Sequence, residues 1–308
     1  MSRRPLTFRQ LETFATVARF GSFSRAAAAL HLTQPAVSIQ IRQIADLVGL
    51  PLFEQTGRDI QLTQAGQELL QTARELDDSW SRFESAIDAL KGLKRGRLRV
   101  ALVTTAKYFL PRMLGAFCQR YPDIDIELEV ANRARIVERL RSNEDDLYIM
   151  SFPPEELDIV AMPFLDNPLV VVAPACYPLP DKPLTLADLT LHPFLMREAG
   201  SGTRRAVDRY LARHNQSLNV KLSLGSNEAI RDLVASGMGL AILSRHVVGT
   251  HPEQEGLRVI EVADFPLQQP WSIVHLRRKI LSLPAKAFID ELLEHTAVPA
   301  EAGRFSLP

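Results

Sequence analysis

Apolar residues in the first fifty positions recur at helical intervals and predict three short helices. Leu11 and Phe14 fall on one face of the first helix, which Gly21 ends. An alanine-rich second helix follows a predicted cap at Ser24, and Thr33 is expected to cap the third. The apolar face of the third helix comprises Val37, Ile41, Ile44 and Val48, which lie four, three and four positions apart. Its opposite face is left polar.

A tight turn before an amphipathic third helix is typical of a helix-turn-helix, whose third helix enters the major groove of DNA. On the polar face, Gln34 can form two hydrogen bonds to adenine, Ile39 can contact a thymine methyl group, and Arg42 suits a phosphate. An ordinary three-helix packing unit with a solvated face is the alternative. The residues predicted here to contact DNA are Ser24, Arg25, Thr33, Gln34, Pro35, Ser38, Ile39 and Arg42.

Two short extended stretches around Gly57 predict a β-hairpin wing after the third helix. Arg58 at its tip is predicted to reach the DNA backbone or a narrow minor groove, where negative potential favours arginine. A solvated hairpin arginine is the alternative. We therefore predict a winged helix-turn-helix DNA-binding domain over residues 1–62.

A long helix is predicted from Thr63, and its apolar residues alternate at spacings of four and three. The row comprises Leu69, Ala73, Leu76, Trp80, Phe83, Ile87 and Leu90. A strict 3.5-residue repeat is the signature of a coiled-coil seam, so residues 63–95 are predicted to form a dimerisation linker helix. A core helix that packs within one subunit is the alternative. A dimer of winged heads would bind two half-sites of an imperfect palindrome.

From residue 96 the pattern changes to alternating strands and helices, after a basic, glycine-containing hinge at residues 91–96. This alternation predicts mainly parallel sheets and an α/β effector-binding module over residues 96–308. We expect two subdomains with a cleft between them. Subdomain I covers about 96–165 and 268–295, and subdomain II about 166–267. The predicted strands are residues 98–103, 124–130, 146–150, 169–173, 194–196, 220–224, 241–243 and 271–276.

Small hydroxyl and amide residues follow three of these strands, at 104–105, 200–203 and 226–227. Ligands of open parallel sheets bind beyond the carboxyl ends of strands, where helix N-termini offer free N–H groups. The junctions therefore predict an anion site, to which Lys107, Arg197 and Arg204 can add positive charge. Helix capping is the alternative at each junction taken alone.

The chain of 308 residues has 46% apolar and 23% charged residues, which are ordinary values for a globular protein. Residues 1–60 carry seven arginines and no lysine against four acids, a mild positive bias. We expect no metal, no cofactor and no enzyme activity, because the sequence shows no nucleophile elbow, phosphate-binding loop or metal-ligand spacing. The acidic segment 143–146 is expected to be a solvated turn.

The cellular location is predicted from what the sequence lacks. It shows no apolar run long enough for a signal peptide or a membrane span, so we expect a cytoplasmic protein that does not bind membranes. Cys118 and Cys176 are expected to be buried as small apolar side chains in a reducing compartment.

Five motifs carry a resemblance to a known family: FRQLETF at 8–14, GSFSRAA at 21–27, LTQPAVS at 32–38, LFE at 52–54 and LTQAG at 62–66. With them, the whole chain resembles the LysR-type transcriptional regulators. It implies a winged helix-turn-helix, a dimer formed through the linker helix, and a two-subdomain effector module similar to periplasmic binding proteins. It also implies a homotetramer on double-stranded promoter DNA. We expect this assembly to affect recruitment of RNA polymerase.

Within that family, segments 104–109, 132–133, 143–150, 153–154, 200–204 and 224–230 look like the regulators of Calvin-cycle and carbon-concentrating operons. That branch responds to phosphorylated or nucleotide metabolites. One departure is that Ser151 and Phe152 follow Met150, where the branch usually has glycine and a different neighbour. The resemblance implies that the effector-facing residues are Thr104, Thr105, Asn132, Ser151, Arg197, Ser201, Thr203 and Asn227.

The sequence thus predicts a DNA-binding transcriptional regulator whose activity is switched by a small anionic metabolite, a sugar phosphate or a nucleotide. We expect the anion to close the cleft and change how the dimers are disposed on DNA. One alternative is a cytoplasmic sensing module that does not bind DNA. The other is an α/β enzyme that acts on a phosphorylated metabolite.

Overall fold

A computed structural model describes residues 6–56, 59–90, 95–179 and 182–297. Arg58, most of the predicted hinge at 91–96, and the end of the chain after residue 297 lie outside the described residues. The chain divides into two compact units, Met1–Glu84 and Ser85–Pro308. The boundary falls inside the long helix predicted from Thr63. None of the described helices is both long enough and apolar enough to cross a membrane.

The first unit contains three short helices, a hairpin and most of a long helix. The elements are α1 Phe8–Phe20, α2 Phe23–Ala29, α3 Gln34–Val48, β1 Phe53–Thr56, β2 Asp59–Leu62 and α4 Gln64–Leu90. The two strands pair antiparallel as the predicted wing. Thr7 forms a capping box at the start of α1, and Gly21 ends that helix in the left-handed conformation.

Two details of this unit differ from the sequence prediction. The predicted cap at Ser24 is wrong, because Ser22 has the extended backbone of a cap and its side chain accepts from the backbone N–H of Arg25. Val48 was predicted to face the core but is 43% exposed. It is the last residue of α3. Val37 and Ile44, earlier on the same face, are fully buried.

The second unit contains two mixed sheets, each with an apolar cluster on both of its faces. The first sheet has the order β4-β3-β5-β13-β6. Its elements are β3 Gly96–Val103, β4 Ile124–Ala131, β5 Leu147–Met150, β6 Ile159–Leu165, β13 Trp271–Leu276, α5 Leu110–Arg120, α6 Arg133–Arg141 and α10 Leu283–Ala297. A 3₁₀ helix at Thr104–Tyr108 connects β3 to α5.

The second sheet has the order β11-β7-β10-β8-β9, with β12 paired to β7. Its elements are β7 Pro168–Pro174, β8 Pro193–Arg197, α7 Gly202–His214, β9 Asn219–Leu224, α8 Asn227–Ala235, β10 Leu240–Ser244, α9 Arg245–Val248, β11 Leu257–Ile260 and β12 Leu267–Gln268. Two further 3₁₀ helices lie at Leu186–Leu189 and Pro252–Glu255.

The prediction of mainly parallel sheets is wrong. Parallel pairs join β3 to β4 and β5, and β8 to β9 and β10. However, β13 runs antiparallel to β5 and β6, and β7 runs antiparallel to its three partners. The chain crosses to the second sheet after β6 and returns through β13, so the returning strand enters the first sheet in the opposite sense. The sequence also missed β6, which contains Pro163 and is only partly buried.

Two further expectations, about the cysteines and about the acidic segment 143–146, are wrong. Cys118 and Cys176 are free thiols, but both are exposed rather than buried. The acidic segment is not a solvated turn, because Asp145 and Asp146 are buried. Asp145 accepts two hydrogen bonds from the Arg139 guanidinium at 2.7 and 2.8 Å. A buried carboxylate needs such partners, and the basic residues that supply them lie outside the tetrapeptide itself.

Candidate DNA interface and effector cleft

The polar face of α3 presents the predicted base-contacting side chains to solvent. Gln34 and Arg42 are exposed, and Ile39 is 56% exposed on an otherwise polar face. The Gln34 amide Nε2 donates to Ser38 Oγ at 2.9 Å, four residues along the helix. These side chains therefore form one contiguous surface at the N-terminal half of α3, the part of a recognition helix that contacts base edges.

The remaining predicted DNA contacts surround that surface or define its geometry. Thr33 caps α3 by accepting from the N–H of Ala36, and Pro35 lies in the first turn. Ser24 and Arg25 are exposed on α2, and the Arg25 guanidinium donates to the carbonyl of Phe20 at the end of α1. Sequence reasoning missed Gln40, whose Oε1 accepts from the buried Thr13 hydroxyl at 2.8 Å and so joins α3 to α1.

The apolar row of α4 is buried at its start and exposed along most of its length. Ala73 is buried and Leu69 packs against the core of the first unit. Leu76, Trp80, Phe83 and Leu90 are 41%, 49%, 54% and 84% exposed. The Trp80 ring lies 5.5 Å from that of Phe83, between centroids. Exposed apolar residues at a coiled-coil spacing are typical of a dimer seam that no second helix covers.

A small cavity lies in the second unit, where the carboxyl ends of β3, β5 and β8 meet. Its volume is about 10 Å³, roughly the space of one water molecule. The lining residues are Val103, Thr104, Thr105, Arg133, Ser151, Arg197, Ser201, Gly202 and Thr203. Six of the predicted effector residues are among them. The cavity lining does not include Lys107, Asn132 or Asn227.

Arg197, at the end of β8, is 2% exposed and uses all five of its N–H groups. Its Nη1 donates to Thr105 Oγ1 at 3.1 Å and to Asn227 Oδ1 at 2.7 Å. Its Nη2 donates to Thr104 Oγ1 at 3.3 Å. Nε and Nη2 also bind the two carboxylate oxygens of Glu198, at 2.7 and 2.9 Å. One guanidinium therefore joins the 3₁₀ helix of the first sheet to β8 and α8 of the second.

The two threonines do not cap a helix, so helix capping, the alternative for this junction, is wrong here. Val103 precedes a 3₁₀ helix without any side-chain cap, and α5 starts only at Leu110. Thr105 Oγ1 instead accepts from Arg197 and, at 3.2 Å, from the Asn227 amide. Their hydroxyls are thus directed to groups about a hundred residues away in sequence.

A second contact between the subdomains involves Glu228, the second residue of α8. Its Oε1 accepts from Lys107 Nζ and from the Tyr108 hydroxyl, both at 2.6 Å. Burial alone would raise the pKa of Glu228, but the hydrogen bonds from Lys107 and Tyr108 outweigh it and lower that pKa to about 2. Burial and the bond to Glu228 raise the pKa of the Tyr108 hydroxyl above its ordinary value. Lys107 therefore pairs with a protein carboxylate.

The start of α7 brings main-chain donors to the cavity. Ser201 caps this helix by accepting from the N–H of Arg204 at 3.1 Å. The amides of Gly202 and Thr203 have no intrahelical acceptor, as at the start of any helix. A Cβ atom at Gly202 would overlap Ser151 Oγ, so a larger residue there would displace that hydroxyl where α7 approaches the end of β5. Ser201 is thus both a cap and a lining residue.

Arg133 is the charged lining residue that sequence reasoning missed, although it lies next to the predicted Asn132. Asn132 itself is exposed and caps α6 by accepting from the N–H of Arg135. Arg133 Nη2 donates to the carbonyl of Phe152 at 2.7 Å. Phe152 has a φ of 54°, a left-handed conformation that is strained for an aromatic residue. The unusual Ser151–Phe152 pair thus supplies both a cavity hydroxyl and the carbonyl that holds Arg133.

Comparison with known proteins places both units in one family. The family model "Bacterial regulatory helix-turn-helix protein, lysR family" matches residues 8–67, and "LysR substrate binding domain" matches residues 91–297. The transcriptional activator CmpR of Synechocystis sp. PCC 6803 is 45% identical, over 94% of this chain and 95% of that protein. The chain belongs to the LysR family.

Further similarities concern carbon metabolism. The RuBisCO operon transcriptional regulator of Acidithiobacillus ferrooxidans is 44% identical to this LysR-family protein, over 96% of each chain. Among solved structures, the regulatory domain of CcmR from Synechocystis PCC6803, in complex with 2-PG, is 45% identical with a TM-score of 0.63. The match covers 66% of this chain and 98% of that domain. The predicted resemblance to carbon-fixation operon regulators is confirmed.

The family assignment also fixes the roles of the two units. This LysR-family protein is a DNA-binding transcriptional regulator with a small-molecule effector domain. Its head is the helix-turn-helix that the first sixty residues predict, and its second unit is the α/β effector module of two subdomains. Its relatives are regulators and not enzymes.

Proposed function

We propose that this regulator controls a carbon-fixation operon and is switched by a small phosphorylated anion that binds in the effector cleft. The observation that carries the proposal is the cavity itself. Two arginines, several hydroxyl groups and the free amides of α7 converge there from both subdomains. Helix N-termini and arginines together favour phosphate oxygens. The solved CcmR domain, a relative of this chain, holds 2-PG.

The small size of the cavity indicates how binding is coupled to conformation. About 10 Å³ accommodates one water molecule and not a phosphorylated metabolite. We propose that such a ligand binds an arrangement in which the subdomains lie further apart. A ligand that binds one arrangement of the cleft better than the other shifts the population towards it, whereas equal binding to both would switch nothing.

On the DNA side, we propose that α3 enters the major groove and that Gln34, Ser38 and Ile39 contact base edges. Arg42, Arg25, Ser24 and Arg58 would contact the backbone or minor groove. Such phosphate contacts position the protein and make its affinity fall with salt. The exposed row of α4 would pair two chains, so that a homodimer or homotetramer spans successive half-sites. The effector-dependent arrangement of these heads would then affect recruitment of RNA polymerase.

The proposal is tested by measuring the affinity of the full chain for its own upstream DNA with and without effector. Candidate effectors are 2-phosphoglycolate, a pentose bisphosphate and NADPH, and glycolate is the matched control without phosphate. We expect at least one phosphorylated compound, and not glycolate, to change the affinity or the footprint on DNA. A response only to uncharged or aromatic compounds would contradict the anionic effector while leaving the DNA-binding role intact.

Substitution of Gln34 by alanine tests base contact by α3. We expect Gln34→Ala to weaken specific binding by roughly 1–3 kcal/mol, the scale of a lost bidentate contact, with little change on scrambled DNA. Gln64→Ala is the control, because Gln64 lies on α4 and donates to Glu68. Unchanged discrimination between operator and scrambled DNA in Gln34→Ala would contradict the assignment.

A further inference from the structure

The two arginines that line the cavity differ in how many of their donors are already used. Arg197 has five N–H groups, and five hydrogen bonds within the chain occupy them. Its charge is matched by the carboxylate of Glu198, which it binds through two bonds. An incoming anion could reach this guanidinium only by breaking one of those bonds.

Arg133 is the opposite case. One of its Nη2 donors binds the carbonyl of Phe152, but its buried Nε has no hydrogen-bond partner. Among the described residues, no carboxylate forms an ion pair with Arg133. Glu156 lies close enough to influence it but is bound to Arg141 at 2.9 Å. A desolvated cation with a free donor is costly to the free protein, and the cost is removed when an anion binds.

The electrostatics around Arg133 agree with this geometry. Burial first, and then the nearby positive charge of Arg205, lower the pKa of the Arg133 guanidinium. The Arg209 guanidinium lies 4.7 Å from the centre of the ring of Phe152, the residue whose carbonyl binds Arg133. This side of the cleft therefore carries excess positive charge, whereas the Arg197 side is neutralised by Glu198.

We infer that Arg133 is the residue that pairs with the charged group of the effector, while Arg197 holds the two subdomains together. This inference rests on the proposed function, because it assumes that the cleft binds a small anion. The anion would lie between Arg133 and the start of α7, where Ser151, Ser201 and the amide of Thr203 line the same cavity. Specificity for phosphate then depends on a residue adjacent to the cap of α6.

The test is titration calorimetry of the full chain with 2-phosphoglycolate and with inorganic phosphate. Arg133→Gln should weaken binding of 2-phosphoglycolate by about 10- to 100-fold, the range for a lost hydrogen bond to a charged group. Arg133→Lys keeps the charge and should recover part of that loss. Arg135→Gln is the matched control on the same helix, since Arg135 pairs with Glu138 at 2.9 Å, and should bind within about threefold of the wild type.

Glu198→Gln distinguishes the role of Arg197 from that of Arg133 without removing either arginine. If Arg197 were the anion's partner, freeing it from Glu198 would strengthen binding and would restore binding to Arg133→Gln. We expect the double variant to remain as weak as Arg133→Gln. Restored binding in the double variant, or unchanged binding in Arg133→Gln, would overturn the assignment of Arg133. A wild-type chain that binds neither anion would instead overturn the proposed anionic effector, and this inference with it.

Discussion

The DNA-binding head and the effector module reach their functional surfaces in different ways. In the head, the bonds that shape the surface are local, such as Gln34 to Ser38 four residues away and Thr33 to the amide of Ala36. In the module, Arg197 binds Thr105, 92 positions away, and Asn227 binds the same hydroxyl across 122 positions. A local surface can be inferred from spacing and caps, whereas a cleft between subdomains depends on the completed fold.

The strongest test of this contrast removes the centre of the long-range network. We expect Arg197→Met to lower the free energy of unfolding of the module by about 3 kcal/mol, because it leaves buried polar partners unpaired. Urea unfolding would be followed by fluorescence of the buried Trp271 in a Trp80→Phe background. Arg277→Met is the control, since Arg277 and Asp158 form an exposed pair, and should cost less than about 1 kcal/mol. Equal losses would mean that the network is not cooperative.

A second test addresses the head, where local pattern predicts an interface that one chain cannot complete. We expect Phe83→Asp to weaken self-association by about 2 kcal/mol, roughly 30-fold, because it places a charge in the exposed row of α4. Sedimentation velocity over a concentration series measures the change. Ser79→Asp adds the same charge at an exposed position outside the row and should have little effect. Identical behaviour of the two variants would favour a helix that packs only within its own subunit.

Much of the head could be predicted from sequence because its signals lie within a few residues of one another. The helix end at Gly21, the cap at Thr33 and the hairpin around Gly57 all depend on neighbouring residues. The errors there are small displacements. The cap is at Ser22 instead of Ser24. The sequence could not distinguish them, because both serines precede an alanine run and only the backbone geometry differs.

The cleft was only partly predictable for a physical reason. Serine, threonine and asparagine after a strand predict either a cap or a ligand site, and Ser201 both caps α7 and lines the cavity. Asn132 is a cap outside the cavity, and the next residue, Arg133, lines it. An arginine at the start of a helix carries no sequence signal of burial. Only the folded structure shows that Arg133 lines the cavity and that its buried Nε has no hydrogen-bond partner.

A subtler test within the cleft exploits the close approach of Gly202 to Ser151. We expect Gly202→Ala to cost about 1 kcal/mol of stability and to weaken 2-phosphoglycolate binding several-fold, because the new methyl group displaces the Ser151 hydroxyl, which lines the cavity. Adding Ser151→Ala should restore stability by removing the overlap, a coupling that a double-mutant cycle measures. Gly225→Ala is the control, since nothing lies within 4 Å of a Cβ there. Additive effects of the two changes would show that the overlap is relieved elsewhere.

The smallest expected effect concerns the second contact between the subdomains, and it depends on pH. The pKa of Glu228 is about 2 in the folded chain, below its ordinary value of 4.5, so its bonds to Lys107 and Tyr108 stabilise the fold above pH 4.5. That contribution is lost as the pH falls from about 4.5 towards 2. Because the side chain of Glu228 is 47% exposed, solvent screening keeps the effect below about 1 kcal/mol.

The measurement compares the unfolding free energies of the wild type and Glu228→Gln between pH 7 and pH 3. We expect a constant wild-type advantage near neutral pH that shrinks below pH 4.5. Tyr108→Phe removes one of the side-chain donors and should move the loss to higher pH, because the remaining bonds, from Lys107 and Ser226, lower the pKa of Glu228 less. An advantage that does not change with pH would show that Glu228 acts through packing. The subdomains would then be joined by one charged contact, at Arg197, instead of two.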